Sequence, residues 1–160
     1  MTPRFDYLKT SPKMFQKLFE LGQVVHAGSV GPWLLDLVNI RASQINGCAF
    51  CLDMHVKEAK IRGESELRLY HVAIWRESPL FTEQERAALE WTEVLTTLPP
   101  HGVPDDLYRR VREHFSEGEL SDLTYAVASI NLWNRLNVAA RTVPGTKDEM
   151  LGLTKAGLVA

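Results

Sequence analysis

Three side chains in this sequence have the types and spacing to do chemistry together. Cys48 and Cys51 form a C-x-x-C and are the chain's two cysteines; His55 follows at the next i+4 position. If the segment is helical, Cys48, Cys51, Leu52, His55, Val56 and Ala59 fall at steps of three and four and share one apolar face. Asp53, Lys57, Glu58, Lys60 and Arg62 fall mostly elsewhere. Residues i and i+3 of a helix lie within the Cα range a disulfide tolerates. In the first turn, unpaired N–H groups and the helix dipole stabilise a thiolate. A base one turn beyond Cys51 gives the Cys51 proton a destination. Two thiols and a base support a redox cycle in which an oxidant converts one thiolate to a sulfenic acid and the other thiol condenses with it. A metal site using the same three residues, with Asp36 as a fourth ligand, and plain core packing of two small hydrophobes are the alternatives.

These residues need helices to position them, and the sequence supplies the signals. Ser11-Pro12 opens a helix that runs to about Gly28, and Gly31-Pro32 opens a second that stops at Asn46-Gly47. The third runs from about Cys48 to Arg62 and ends at Gly63; a fourth follows Ser65. Thr82 and Glu85 form a capping box before an apolar stripe through Trp91 and Leu98. Pro104 opens a short helix, and Ser121 is expected to cap the last long one, which ends at Pro144-Gly145. No run alternates with a period of two, so the fold is expected to be all-α. If the second and third helices form an antiparallel hairpin about Gly47, Asp36 lies eleven residues before the turn and His55 eight after it. The axial offset is then about 4–5 Å, close enough for a carboxylate to orient His55.

The chain's 160 residues suit one domain, expected to span 1–160 with a core of about 12–144 and a weakly apolar tail of 145–160 that includes Met150, Leu151, Leu153, Leu158 and Val159. Eighteen basic and twenty acidic residues give a net charge of -2, which argues against nucleic-acid binding by bulk charge. No apolar stretch approaches a membrane span and no signal-peptide core is visible, so a cytoplasmic location is expected. In a reducing compartment a C-x-x-C is more often redox-active or metal-binding than structural. His71 reads as a packing residue, His26, His101 and His114 as surface or loop residues, and the four tryptophans as core or interface anchors. Asn131, Asn134 and Asn137 share one strip of the last helix, where backbone capping or subunit contact is expected.

The stretch from Asp36 through Arg41-Ala42-Ser43-Gln44-Ile45-Asn46-Gly47-Cys48-Ala49-Phe50-Cys51 to His55 resembles the core of the alkylhydroperoxidase AhpD family, within the carboxymuconolactone decarboxylase-like superfamily. Arg76–Glu93 and Asn131–Asn137 carry the same resemblance, which covers most of the chain from about Pro12 to Pro144. It implies an all-helical fold assembling as a homo-oligomer, trimer or hexamer, with thiol peroxidase activity on hydrogen peroxide or organic hydroperoxides. It places the site on Asp36, Cys48, Cys51 and His55. It also makes Cys51 the peroxidatic and Cys48 the resolving thiol, with a dihydrolipoyl-bearing protein as reductant. The family's acid is usually Glu, and here the matching residue is Asp36. Position in the helix favours Cys48 as the low-pKa thiol, whereas the resemblance and the i+4 base favour Cys51, which is the expected nucleophile. Decarboxylase-like members of the superfamily lack this cysteine pair. No bound cofactor is expected, because sulfur carries the two electrons. A redox-sensing oligomer without efficient turnover is the remaining alternative.

Overall fold

In the computed structural model, which describes residues 2–158, the chain is built from helices and contains no strand among those residues. In order they are α1 (Tyr7–Thr10), α2 (Pro12–Ala27), α3 (Pro32–Ile45), α4 (Ala49–Arg62) and α5 (Glu66–His71), continued by a 3₁₀ turn at Val72–Ile74. Then come α6 (Glu83–Thr97), α7 (Asp105–Arg112), α8 (Glu117–Ala140), α9 (Asp148–Leu151) and a 3₁₀ turn at Leu153–Ala156.

α3 is the central element. Every residue from Leu35 to Ile40 is buried, so it presents no solvent face along that stretch and packs at once against α4, α6 and α8. One core joins Leu35 and Val38 to Ala88, Trp91, Val111, Leu123 and Val127 across α6, α7 and α8. A second joins Leu37 and Ile40 to Ala59, Val72, Trp75 and Leu89. A third, smaller one surrounds the cysteines with Ala42, Phe50 and Ile130.

Most helix boundaries fall where the capping residues place them. Thr82 and Glu85 close a reciprocal capping box at the start of α6. Gly63 ends α4 in the left-handed conformation, φ 101°. The last long helix differs from expectation: it starts at Glu117, not at Ser121, because Ser116 and Glu119 form a second capping box one turn earlier. α1 is an additional turn, nucleated when the Asp6 carboxylate accepts the Leu8 N–H.

The tail folds back on its own chain. Leu153 and Ala156 are buried, and their turn packs on α4. The Gly145 N–H donates to Asp53, and Lys57 donates to both Asp53 (2.8 Å) and Asp148 (2.7 Å). Leu158 is exposed, and Val159, part of the tail's apolar set, lies outside the described residues. α1 and α2, by contrast, contribute no buried residue; α2 packs on α1 and α8 and leaves Met14, Phe19 and Val24 exposed.

Candidate functional site

A tight corner places the first cysteine. α3 ends in a Schellman motif: Gly47 takes φ 64°, its N–H reaches the Gln44 carbonyl, and the Cys48 N–H reaches the Ser43 carbonyl at 3.0 Å. The chain leaves that cap directly into the N-cap of α4, which is Cys48 itself, in an extended conformation. The Cys51 backbone N–H donates to the Cys48 sulfur at 3.4 Å. Sulfur thus occupies the position normally held by a Ser, Thr or Asp oxygen, where a helix start offers unpaired donors to a negative atom.

Both thiols are free and nearly inaccessible, Cys48 at 2% and Cys51 at 1% exposure. The two share one proton unequally. Hydrogen bonding from the Cys51 thiol is the main influence that brings Cys48 down to about 7; burial opposes it, and the Cys51 N–H, the Asn134 amide and His55 assist it. The same bond, then burial and the charge on Cys48, push Cys51 up. The helix-start N–H on its sulfur and the bond between the two sulfurs favour ionisation at Cys48 over Cys51.

α8 lines the other side with amides. Asn137 donates to the Cys51 sulfur (3.5 Å) and to the Trp133 carbonyl (2.9 Å). Asn134, fully buried, donates to the Ser43 hydroxyl and accepts from Asn46, which also bonds Asn131. Asn131 donates to Thr96. The strip seen in the sequence does bond neighbouring backbone, at the Val127 and Trp133 carbonyls, and it does more. It is an internal ladder tying α8 to α3, α6 and the dithiol. From α1, the Tyr7 hydroxyl donates to Asn137 Oδ1 at 2.9 Å, and the Tyr7 ring joins Phe15 and Trp133 in an aromatic cluster. Burial, then the charge at Cys51, pushes the Tyr7 phenol up to about 12, so it stays protonated.

His55 is buried beside the dithiol, and its Nδ1 pairs with Glu58 at 2.7 Å. Burial alone would raise the Glu58 carboxyl; His55, helped by His26 and Arg62, holds it below its ordinary value. The expected Asp36–His55 contact is not made. Asp36 is buried and receives Arg62 Nε at 2.8 Å. Burial raises its carboxyl despite Arg62. The hairpin register explains the exchange: the residue level with Asp36 across Gly47 is Glu58, and the long Arg62 side chain reaches back one turn to fill the space beside Asp36. Asp36, Glu58, His55 and Arg62 still sit within electrostatic reach of one another.

Among the described residues no three His, Cys, Asp or Glu side chains converge as a metal site, so Cys48, Cys51, His55 and Asp36 do not form the ligand set that the metal alternative requires. His71 is half-buried and pairs with Ser78. Two surface hollows, about 430 Å³ beside Trp91 and Tyr108 and about 300 Å³ beside Trp33 and Phe115, do not include the dithiol. No helix among the described residues is long and apolar enough to cross a membrane. The structure brings both cysteines and the histidine of the expected set together, and adds Glu58 and Tyr7, which the sequence reading did not anticipate. Glu58 was signalled only by its i+3 spacing from His55, and Tyr7 by nothing local.

The carboxymuconolactone decarboxylase family model matches residues 12–94. An uncharacterized protein of Bacillus subtilis, YdfG, is 39% identical over 139 residues, covering 87% of this chain and 95% of its own. A solved structure from Agrobacterium tumefaciens, of unknown function but with a name suggesting AhpD-type antioxidant defence, is 41% identical with a TM-score of 0.87; the match covers 91% of this chain and 99% of that one. The AhpD core of a peroxidase-related protein from Ralstonia eutropha shares the fold at 20% identity, with a TM-score of 0.78 over 88% of this chain and 75% of its own.

Proposed function

The chain belongs to the carboxymuconolactone decarboxylase family, in its AhpD-like group, and from that premise we propose that it is a thiol-dependent peroxidase cycling between a Cys48/Cys51 dithiol and disulfide. One observation carries the reading: the Cys48 sulfur caps the start of α4 and accepts the Cys51 backbone N–H at 3.4 Å, so two buried free cysteines lie one turn apart beside the buried His55.

In the proposed cycle the Cys48 thiolate attacks the terminal oxygen of hydrogen peroxide or a small organic hydroperoxide. The O–O bond breaks, Cys48 becomes a sulfenic acid, and the departing alkoxide or hydroxide takes a proton. The Cys51 sulfur then attacks Cys48, giving the disulfide and water. His55, oriented by Glu58, receives the Cys51 proton as that sulfur attacks. Asp36 anchors Arg62 and keeps its charge near Glu58, in place of the relay role expected of it. The assignment of nucleophile follows the helix start and so departs from the Cys51 expectation. A dithiol reductant, such as a dihydrolipoyl protein, restores the thiols. Homo-oligomeric assembly belongs to the same proposal, supported by the exposed Met14, Phe19 and Val24 on α2.

The test is peroxide consumption with dihydrolipoamide as reductant, in wild type and in Cys48→Ser. Turnover that disappears in the variant supports the reading. Equal turnover in both would overturn it.

A further inference from the structure

Asn137 can face the dithiol in only one way. The Trp133 carbonyl is solely an acceptor, so the Asn137 atom 2.9 Å from it must be the amide nitrogen. Its oxygen then faces Tyr7, and the Tyr7 hydroxyl must donate to it, at 2.9 Å. The second N–H of the same nitrogen is left for the Cys51 sulfur, at 3.5 Å. Asn134 is oriented in the same sense: its oxygen accepts from Asn46, which turns its nitrogen toward Ser43 and the sulfurs. Two buried amides thus aim donors at the cysteines, and the chain's first helical turn locks one of them. Cys48 shares the Asn134 amide with Cys51 and is otherwise met by the backbone N–H of the helix start, so Asn137 is the donor that serves Cys51 alone.

Resting on the dithiol–disulfide cycle proposed above, we infer that a dithiol reductant attacks the Cys48 sulfur of the disulfide and that Asn137, positioned by Tyr7, supplies the donor that Cys51 needs to leave as a thiolate. The step balances. A reductant thiolate forms a bond to Cys48 Sγ, the Cys48–Cys51 bond breaks, and its electron pair moves to Cys51 Sγ, which receives the Asn137 N–H. The second reductant thiol, deprotonated, attacks the mixed disulfide. The reductant leaves as a cyclic disulfide and Cys48 leaves as the thiolate. Donors fixed before the charge forms need no reorganisation when it does. Tyr7 is a positioning residue here: it touches Asn137, and its high pKa keeps it a donor throughout.

The experiment starts from disulfide made with diamide, so that its preparation does not depend on peroxide reactivity. A dithiol that diamide oxidises and peroxide does not would count against the peroxidase reading and leave this inference standing. In one arm, oxidised wild type is mixed briefly with β-mercaptoethanol, quenched in acid, alkylated with N-ethylmaleimide and mapped. The expected product carries the mixed disulfide on Cys48 and the maleimide on Cys51; the reverse pattern overturns the inference. In the other arm, Tyr7→Phe keeps its ring against Phe15 and Trp133 while losing the hydroxyl, and a melting curve verifies its fold. Reduction by dihydrolipoamide at neutral pH should slow about three- to tenfold, the scale of one hydrogen bond to a charged atom. In a Cys48→Ser background the Cys51 titration, read by thiolate absorbance, should move upward with the same change. If Tyr7→Phe leaves both rate and titration where they were, the inference fails.

Discussion

Two buried polar systems lie on α4, two turns apart, and they are built from opposite materials. At the first turn, Cys48 and Cys51 are surrounded by neutral donors: a backbone N–H, the amides of Asn134 and Asn137, and, through Asn137, the Tyr7 phenol. Further along, Lys57, at 2% exposure, is held by two carboxylates, Asp53 and Asp148. Burial would lower the Lys57 pKa, but the two aspartates more than offset it, so the ammonium is permanent. A permanent charge suits a latch, because removing any member leaves the others unpaired in a poor solvent. A charge that must appear and vanish with each cycle is better served by dipoles, which stabilise it without fixing its presence. The same helix thus carries the proposed redox centre and, facing the tail, a static clamp.

The comparison can be broken most sharply at the sulfurs. Cys48→Ser should reduce peroxide turnover by about a thousandfold or more, as loss of a covalent nucleophile does. Its denaturation midpoint should stay close to wild type. Cys51→Ser should still consume about one equivalent of peroxide and stop at a Cys48 sulfenic acid, seen by dimedone labelling and intact mass. At the clamp the pattern should invert. Lys57→Met leaves Asp53 and Asp148 facing each other and should lower unfolding free energy by about 3 kcal/mol in urea titration, with faster proteolysis of the tail after Gly145. Its first-turnover reaction with peroxide should be unchanged.

The remaining predictions sharpen the first region. With Cys48 brought down to about 7, iodoacetamide should alkylate it with a rate that rises with pH and is half-maximal near that value, since only the thiolate reacts. Cys51, pushed up, should stay unreactive across the same range. Glu58→Gln loses the carboxylate that orients His55 and should slow disulfide formation about tenfold in stopped-flow mixing. Asp36→Asn should change that rate about twofold or less, because Asp36 contacts Arg62 and not the histidine.

That last pair marks where the sequence stopped being legible. The cysteines, the histidine and nearly all helix ends could be read because each is a local matter: i+3 and i+4 spacing, Gly63 and Gly47 in left-handed caps, Thr82 with Glu85. Ser116 with Glu119 carried the same local signal, and preferring Ser121 overlooked it. The rotation of α3 against α4 is not local. Register placed Asp36 near the level of His55, but which carboxylate faces the imidazole depends on how two helix surfaces interdigitate, and that gave the place to Glu58. Tyr7 reaches the site from a four-residue helix some forty positions upstream of the cysteines, and the tail's dock depends on Lys57 finding Asp148 ninety-one residues on. Contacts at such separations leave no periodic trace in a single sequence.

The most direct test of the account is a single turnover. Fully reduced protein is mixed with one equivalent of an organic hydroperoxide, and the thiols are followed by rapid alkylation and intact mass, with Cys48→Ser and Cys51→Ser alongside. The account predicts rapid formation of one intramolecular disulfide in wild type, a stable sulfenic acid on Cys48 in Cys51→Ser, and no oxidation of Cys51 in Cys48→Ser. Thiols that remain unchanged in wild type, or a sulfenic acid that forms on Cys51 in Cys48→Ser, would contradict it.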